Sequence, residues 1–154
     1  MMMESLDVIL RLFRGETVTT KTKWFELREA ALQLRPYSDP HPEVVVVSSN
    51  TPSGGRAAGR YGLNIICLAA AARDGFDALD TNWKIATEIA AENGHTMQRS
   101  GLRLAAPIHL AETREKAEAN VGFGIQQFAD YNYAQSPAMH ERAKGMTPLE
   151  FVTK

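Results

Sequence analysis

The stretch EVVVVSS, residues 43–49, constrains this chain more than any other. Four consecutive valines are β-branched, stiff at χ1 and suited to a pleated strand. A strand that is apolar on both faces has to be covered on both, which is the situation of a parallel sheet with helices packed against it. The strand does not end in a plain turn. It runs into Ser48, Ser49, Asn50 and Thr51, and then into SGGRAAGRYG, where two glycines open what reads as a helix. Ser53 or Thr51 is placed to cap that helix, Ala57, Ala58 and Tyr61 face inward, and Gly62 ends it. Strand, polar turn and helix form a βα unit.

Two further units of this kind follow. LNIICLAAAA reads as a second buried strand, and RDGFDALDTNWKIATEIAAENG as a helix with Phe76, Leu79, Trp83, Ala86 and Ala90 on one face and Gly94 as its stop. SGLRLAAPIHLAET reads as a third strand that leads into a helix capped at Thr113. Glu112 and Glu115 suit the positive end of that helix, and Ala117, Val121, Ile125 and Phe128 form its stripe. Ahead of these units, Leu6, Ile9, Leu10 and Phe13 mark an amphipathic helix closed by Gly15. Val18, Thr19, Thr20, Trp24 and Phe25 favour extended backbone, and Pro36, Pro40 and Pro42 stiffen the approach to the valines. Beyond Tyr131 the periodicity fades, and 132–154 reads as loop-rich with short helical turns. The alternation predicts an α/β fold of about three parallel strands with flanking helices. No repeat or linker divides residues 1–154, which read as one domain.

Charge excludes some functions. With 17 basic and 18 acidic residues the net charge is −1 and no basic block stands out, so nucleic acid is not an expected partner. No apolar stretch is long enough for a membrane span, and Glu4 and Asp7 interrupt what would have to be a signal peptide. A cytoplasmic location is therefore expected. The single cysteine, Cys67, rules out an internal disulfide and a cysteine-rich metal site. His41, His95, His109 and His140 lack metal-ligand spacing to one another, so no metal site is expected.

The turn after the valines is the richest candidate site. It is neither a P-loop nor a GxGxxG loop, since no Gly-Lys-Ser/Thr follows and the glycines fall at 54, 55 and 59. Hydroxyls of Thr51 and Ser53, with the amides of Gly54 and Gly55 at a helix N-terminus, still suit a phosphate-sized anion. The same residues suit a simple helix cap. His109, near the end of the third strand, is where doubly wound and barrel enzymes place their chemistry, though a histidine packed among neighbours would look the same. Cys67 reads as a buried strand thiol, and Arg56 and Arg60 as exposed charges.

Several stretches taken together resemble one family. LDVILRLFRGETVT, WFELREAALQL, the strand with its Ser/Thr/Pro/Gly turn and RAAGRYGL, FDALDTNWKIATEIAAENGHTMQRSGLRL and PIHLAETREKAEANVGFG follow the order and spacing of luciferase-like, flavin-dependent monooxygenases. The likeness is to the branch typified by limonene 1,2-monooxygenases, and it runs from about Leu6 to Phe128. It implies a (β/α)8 barrel that binds reduced FMN, or in some branches the deazaflavin F420, and oxidises small organic substrates. By this resemblance Asn50, Thr51, Ser53 and Gly54 are the cofactor-phosphate contacts, and His109 lies at the rim. Three strands match the fifth, sixth and seventh of such a barrel, which takes roughly 250 residues. The resemblance thus implies a C-terminal-half fragment, part of a TIM barrel, inactive alone. The alternative is a non-catalytic α/β module that binds a phosphate ligand or pairs with a complementing chain or a second copy of itself.

Overall fold

The computed structural model describes residues 1–49, 51–68, 73–135, 141 and 144–153. The chain forms two compact units, Met1–Val45 and Val46–Lys154.

The first unit holds helix α1 (Met2–Phe13) and an antiparallel hairpin of β1 (Val18–Lys21) and β2 (Glu26–Ala30). Gly15, at φ 81°, closes α1 as its position predicts. Val8 and Leu10 are the buried residues of α1, whereas Ile9, expected inward, is exposed. The hairpin turn is built by a side chain. Thr22 Oγ1 accepts the amides of Trp24 (3.3 Å) and Phe25 (3.1 Å), and Lys21 and Glu26 pair across it at 2.9 Å. The register slips between Val18 and Thr20, opposite Glu29, whose φ is +47°. Its amide donates to Thr19 Oγ1 at 2.9 Å. A left-handed conformation costs a non-glycine residue about 1–2 kcal/mol. Part of that is offset by the freedom glycine loses on folding, so Glu29→Gly should stabilise the hairpin by up to about 1 kcal/mol. A rise in the urea midpoint checks this.

The second unit carries the sheet. Strands β3 (Val45–Ser48), β4 (Asn64–Cys67) and β5 (Leu102–Leu104) lie in that order, and β4 and β5 run parallel, pairing Ile65 with Leu102 and Cys67 with Leu104. Leu68 donates its amide to the Ser48 carbonyl and Ala105 to the Cys67 carbonyl, both at 2.9 Å, so the carboxyl ends of the three strands are level. Each strand feeds a helix: α2 (Ser53–Tyr61), α3 (Arg73–Glu92) and α4 (Arg114–Val121). This is the α/β alternation that the sequence predicts, and Ile65 and Val46 lie in its core with Ala57, Ala58, Ala86 and Ala90.

Three details differ from expectation. The third strand is only Leu102–Leu104, because the 3-10 turn Arg99–Gly101 precedes it and the ladder ends ahead of Pro107, which cannot donate to it. The helix after Thr113 breaks at Gly122–Gly124 into α4 and α5 (Ile125–Gln135). Phe76 is 65% exposed, and the buried row of α3 is Asn82, Ala86 and Ala90. That row faces α2 so closely that added Cβ atoms at Gly55 and Gly59 would strike the carbonyls of Asn82 and Ala86, and only small side chains fit. In the last stretch Pro148–Thr153 forms α6, opened by a capping box in which Thr147 Oγ1 accepts the Glu150 amide and Glu150 Oε2 accepts the Thr147 amide.

Candidate functional site

The turn between β3 and α2 sits at the carboxyl end of the sheet, the edge at which open α/β sheets take ligands. Pro52 occupies the N-cap of α2 and makes no side-chain cap; the first helical bond runs from the Arg56 amide to the Pro52 carbonyl at 2.9 Å. Ser53 is already helical, and its hydroxyl pairs with Thr51 Oγ1 at 2.9 Å rather than capping. The expected cap by Thr51 or Ser53 is therefore not made, since proline offers no side-chain acceptor. The amides of Ser53, Gly54 and Gly55 belong to the first turn, which has no intrahelical acceptors, and the helix dipole places partial positive charge there.

The glycines of the turn answer to packing. A Cβ on Gly54 would strike the Val47 carbonyl and the Ser48 backbone, and one on Gly55 would lie 2.7 Å from the Asn82 carbonyl oxygen. Ser48 is 2% exposed, and its Oγ is buried with no hydrogen-bond partner among the described residues. Burying a hydroxyl without a partner costs about 1–3 kcal/mol by protein mutational data. On the other side of the turn, buried Asn82 donates from Nδ2 to the Ser49 carbonyl at 2.6 Å. Neither Ser48 nor Asn82 carries a local sequence signal: one ends a strand, and the other is a polar residue in a helix whose periodicity is set by apolar side chains. Asn50 lies outside the described residues. Arg56 and Arg60 are exposed, as expected.

His109 lies past the end of β5, exposed, in the segment that leads to α4. Asn120 Nδ2 lies within hydrogen-bond reach of its Nε2, at 3.2 Å. The two line an open cavity of about 820 Å³. Ala117, Val121, Ile125 and Phe128, the predicted stripe, all line this cavity, together with Ile108 and Phe123, which are 78% and 89% exposed. The Arg114–Glu118 ion pair, at 2.8 Å, stands at its wall. At the head of α4, Thr113 Oγ1 accepts the Lys116 amide, the predicted cap. The carboxyl of Glu112 is held low chiefly by its hydrogen bond to Lys116, and that of Glu115 by backbone and Thr113 hydrogen bonds. Thr51, Ser53 and Gly54 do not line the cavity, so the two candidate regions share the sheet edge and no single pocket.

The remaining candidates carry no chemistry of their own. His41 stacks on Phe13, and the His95 ring lies against Gly62. His140 lies outside the described residues. Cys67 is 2% exposed, and burial pushes its thiol up, away from the nucleophilic thiolate. Among the described residues no group of His, Cys, Asp and Glu is placed to hold a metal ion, and no helix is long and apolar enough to cross a membrane.

Residues 1–150 match the profile of the luciferase-like monooxygenase family. The chain is 45% identical over 130 residues to limonene 1,2-monooxygenase of Rhodococcus erythropolis, a match covering 84% of this chain and 33% of that protein. It is 38% identical over 151 residues to 4-hydroxyprotoasukamycin monooxygenase of Streptomyces nodosus subsp. asukaensis, covering 95% of this chain and 41% of that one. Among solved structures, the monooxygenase RslO1 of Streptomyces bottropensis superposes with a TM-score of 0.70 at 18% identity, over 91% of this chain and 42% of that one. The oxygenating constituent of 3,6-diketocamphane monooxygenase from Pseudomonas putida, a type II Baeyer–Villiger enzyme in complex with FMN, gives 0.62 at 23% identity, over 97% and 46%. The chain thus spans between a third and a half of each of these four proteins.

Proposed function

We propose, since this chain belongs to the luciferase-like monooxygenase family, that it supplies the phosphate-anchoring part of a partial (β/α)8 barrel for flavin-dependent oxidation of a small organic substrate. The observation that carries this reading is the buried Ser48 hydroxyl, without a hydrogen-bond partner among the described residues, beside the uncapped α2 N-terminus. A phosphate there would meet the Thr51 and Ser53 hydroxyls and the first-turn amides, Gly54 among them, with the dipole favouring its charge. Gly54 brings α2 close enough to the strand for this, since a side chain would strike the strand backbone. FMN is the proposed cofactor, because its phosphate suits a single helix N-terminus, with F420 the alternative. When bound and reduced, the flavin supplies the electrons with which molecular oxygen oxidises the substrate. The residues of this chain hold and orient its phosphate end. His109 lies at the rim of the site on this reading. On this reading the chain alone binds flavin without turning over substrate, and it works in the cytoplasm.

A thermal melt with FMN, F420 or riboflavin tests the reading. A ligand that binds the native state alone stabilises it by RT ln(1 + [L]/Kd), about 2.7 kcal/mol at a hundredfold excess over Kd. FMN should raise the midpoint and riboflavin, lacking the phosphate, should do so less. A melt unmoved by FMN, or moved equally by riboflavin, overturns the phosphate site.

The cavity favours a second reading, in which a further polypeptide covers it: a complementing chain or a second copy. Ile108, Leu110 and Phe123 are between 78% and 89% exposed, and contiguous apolar surface of this kind marks interaction sites. This reading expects the purified chain to self-associate at micromolar concentration and Phe123→Asp to return it to a monomer in analytical ultracentrifugation. A monomeric wild type that recruits no complementing half-barrel counts against it.

A further inference from the structure

We propose that Asn82 is the positioning residue of the phosphate turn, an inference that rests on the phosphate reading above. Ser48 and Asn82 are the buried polar residues among those described, and both flank this turn. Asn82 reaches across 33 positions of sequence to hold the Ser49 carbonyl at 2.6 Å. Its own carbonyl lies against Gly55 so closely that a Cβ there would approach to 2.7 Å. The residue therefore fixes the turn at both ends: its side chain sets the exit from β3, and its backbone sets the depth at which α2 begins. Its companions on the buried row of α3 are Ala86 and Ala90. A third alanine would satisfy the packing with α2 and avoid the desolvation of an amide. What alanine cannot do is fix the Ser49 carbonyl, and through it the orientation of Thr51 and the α2 N-terminus that follow. Phosphate recognition by first-turn amides depends on that orientation, because donors misaligned with an anion lose most of their attraction.

The test compares FMN with riboflavin, which shares the ring and lacks the phosphate. Dissociation constants are measured by fluorescence quenching for the wild type, Asn82→Ala and the isosteric Asn82→Asp, with melts and circular dichroism as folding controls. The expected result is a preference for FMN that falls about tenfold in both variants, the scale of one hydrogen bond to a charged system, while riboflavin affinity holds. A purely structural role would weaken both ligands together or neither. A wild type that discriminates, with variants that discriminate equally, overturns the positioning role alone. A wild type that holds riboflavin as well as FMN overturns the phosphate reading and this role with it. Hydrogen exchange on the wild type keeps the proposal falsifiable if neither variant folds. FMN should slow exchange at residues 53–56 and around Asn82 together, and protection of α2 without α3 overturns the coupling.

Discussion

Gly59→Val costs the second unit about 3 kcal/mol, at the upper end of what overpacking does to a close-packed interior. Two effects oppose each other at this position. Removing a glycine from a helix interior gains up to about 1 kcal/mol of backbone entropy for alanine and less for a β-branched residue. Against it stands the contact with α3. A Cβ at Gly59 would run into the Ala86 carbonyl and lie 3.1 Å from both the Ala90 nitrogen and the Ile89 Cβ. Two of those atoms are backbone of a neighbouring helix and cannot turn aside as a side-chain tip would. The helices have to separate, and the seam of Gly55, Gly59, Asn82, Ala86 and Ala90 opens along its length. Gly124→Ala is the internal control. Nothing lies within 4 Å of the added atom and its φ is not positive, so its melting midpoint should stay level or rise slightly. Equal loss in both variants would mean that the close approach of α2 and α3 does not hold in solution.

That seam also shows where the sequence was legible. Continuous valines and the strand–turn–helix order fixed the α/β class, because burial on both faces leaves a signal in every residue of the strand. The seam was legible in part. Ala86 and Ala90 lie inward as their spacing predicts, but close helix packing selects small residues, so Phe76 looked inward by hydrophobicity when the third member of the buried row is Asn82. The first hairpin was hidden for another reason: its turn is held by a threonine side chain rather than announced by Asn-Gly or Asp-Gly. The strand–turn–helix position of the candidate residues was readable, since Thr51, Ser53 and Gly54 lie at the start of α2 as expected. Ser48 and Asn82 required the tertiary structure, because a buried hydroxyl and an amide bonded across 33 positions have no local signature.

Ile65→Ala is expected to cost about 2–5 kcal/mol, the range for removing a buried isoleucine. Ile65 is fully buried on the middle strand, and many of its buried companions in the second unit are alanines. A core this lean has little with which to refill the space, which places the loss toward the upper part of the range. Domains are stable by about 5–15 kcal/mol in all, so one side chain carries a large share. Urea unfolding should show a lower midpoint at an unchanged m-value. Cys67, two positions along the same strand, reports the opening directly. Its thiol is buried and pushed up, so alkylation at neutral pH waits for the strand to open. A loss near 3 kcal/mol raises the labelling rate about a hundredfold, at about 1.4 kcal/mol per tenfold. The consequence reaches the site, because β4 binds β3 through the Ser48 carbonyl and β5 through that of Cys67. Loosening β4 frees the turn ahead of α2 on one side and the His109 segment on the other, so on the proposed reading of that turn FMN affinity should fall with stability. Unchanged labelling in Ile65→Ala would place Cys67, and with it β4, outside the cooperative core.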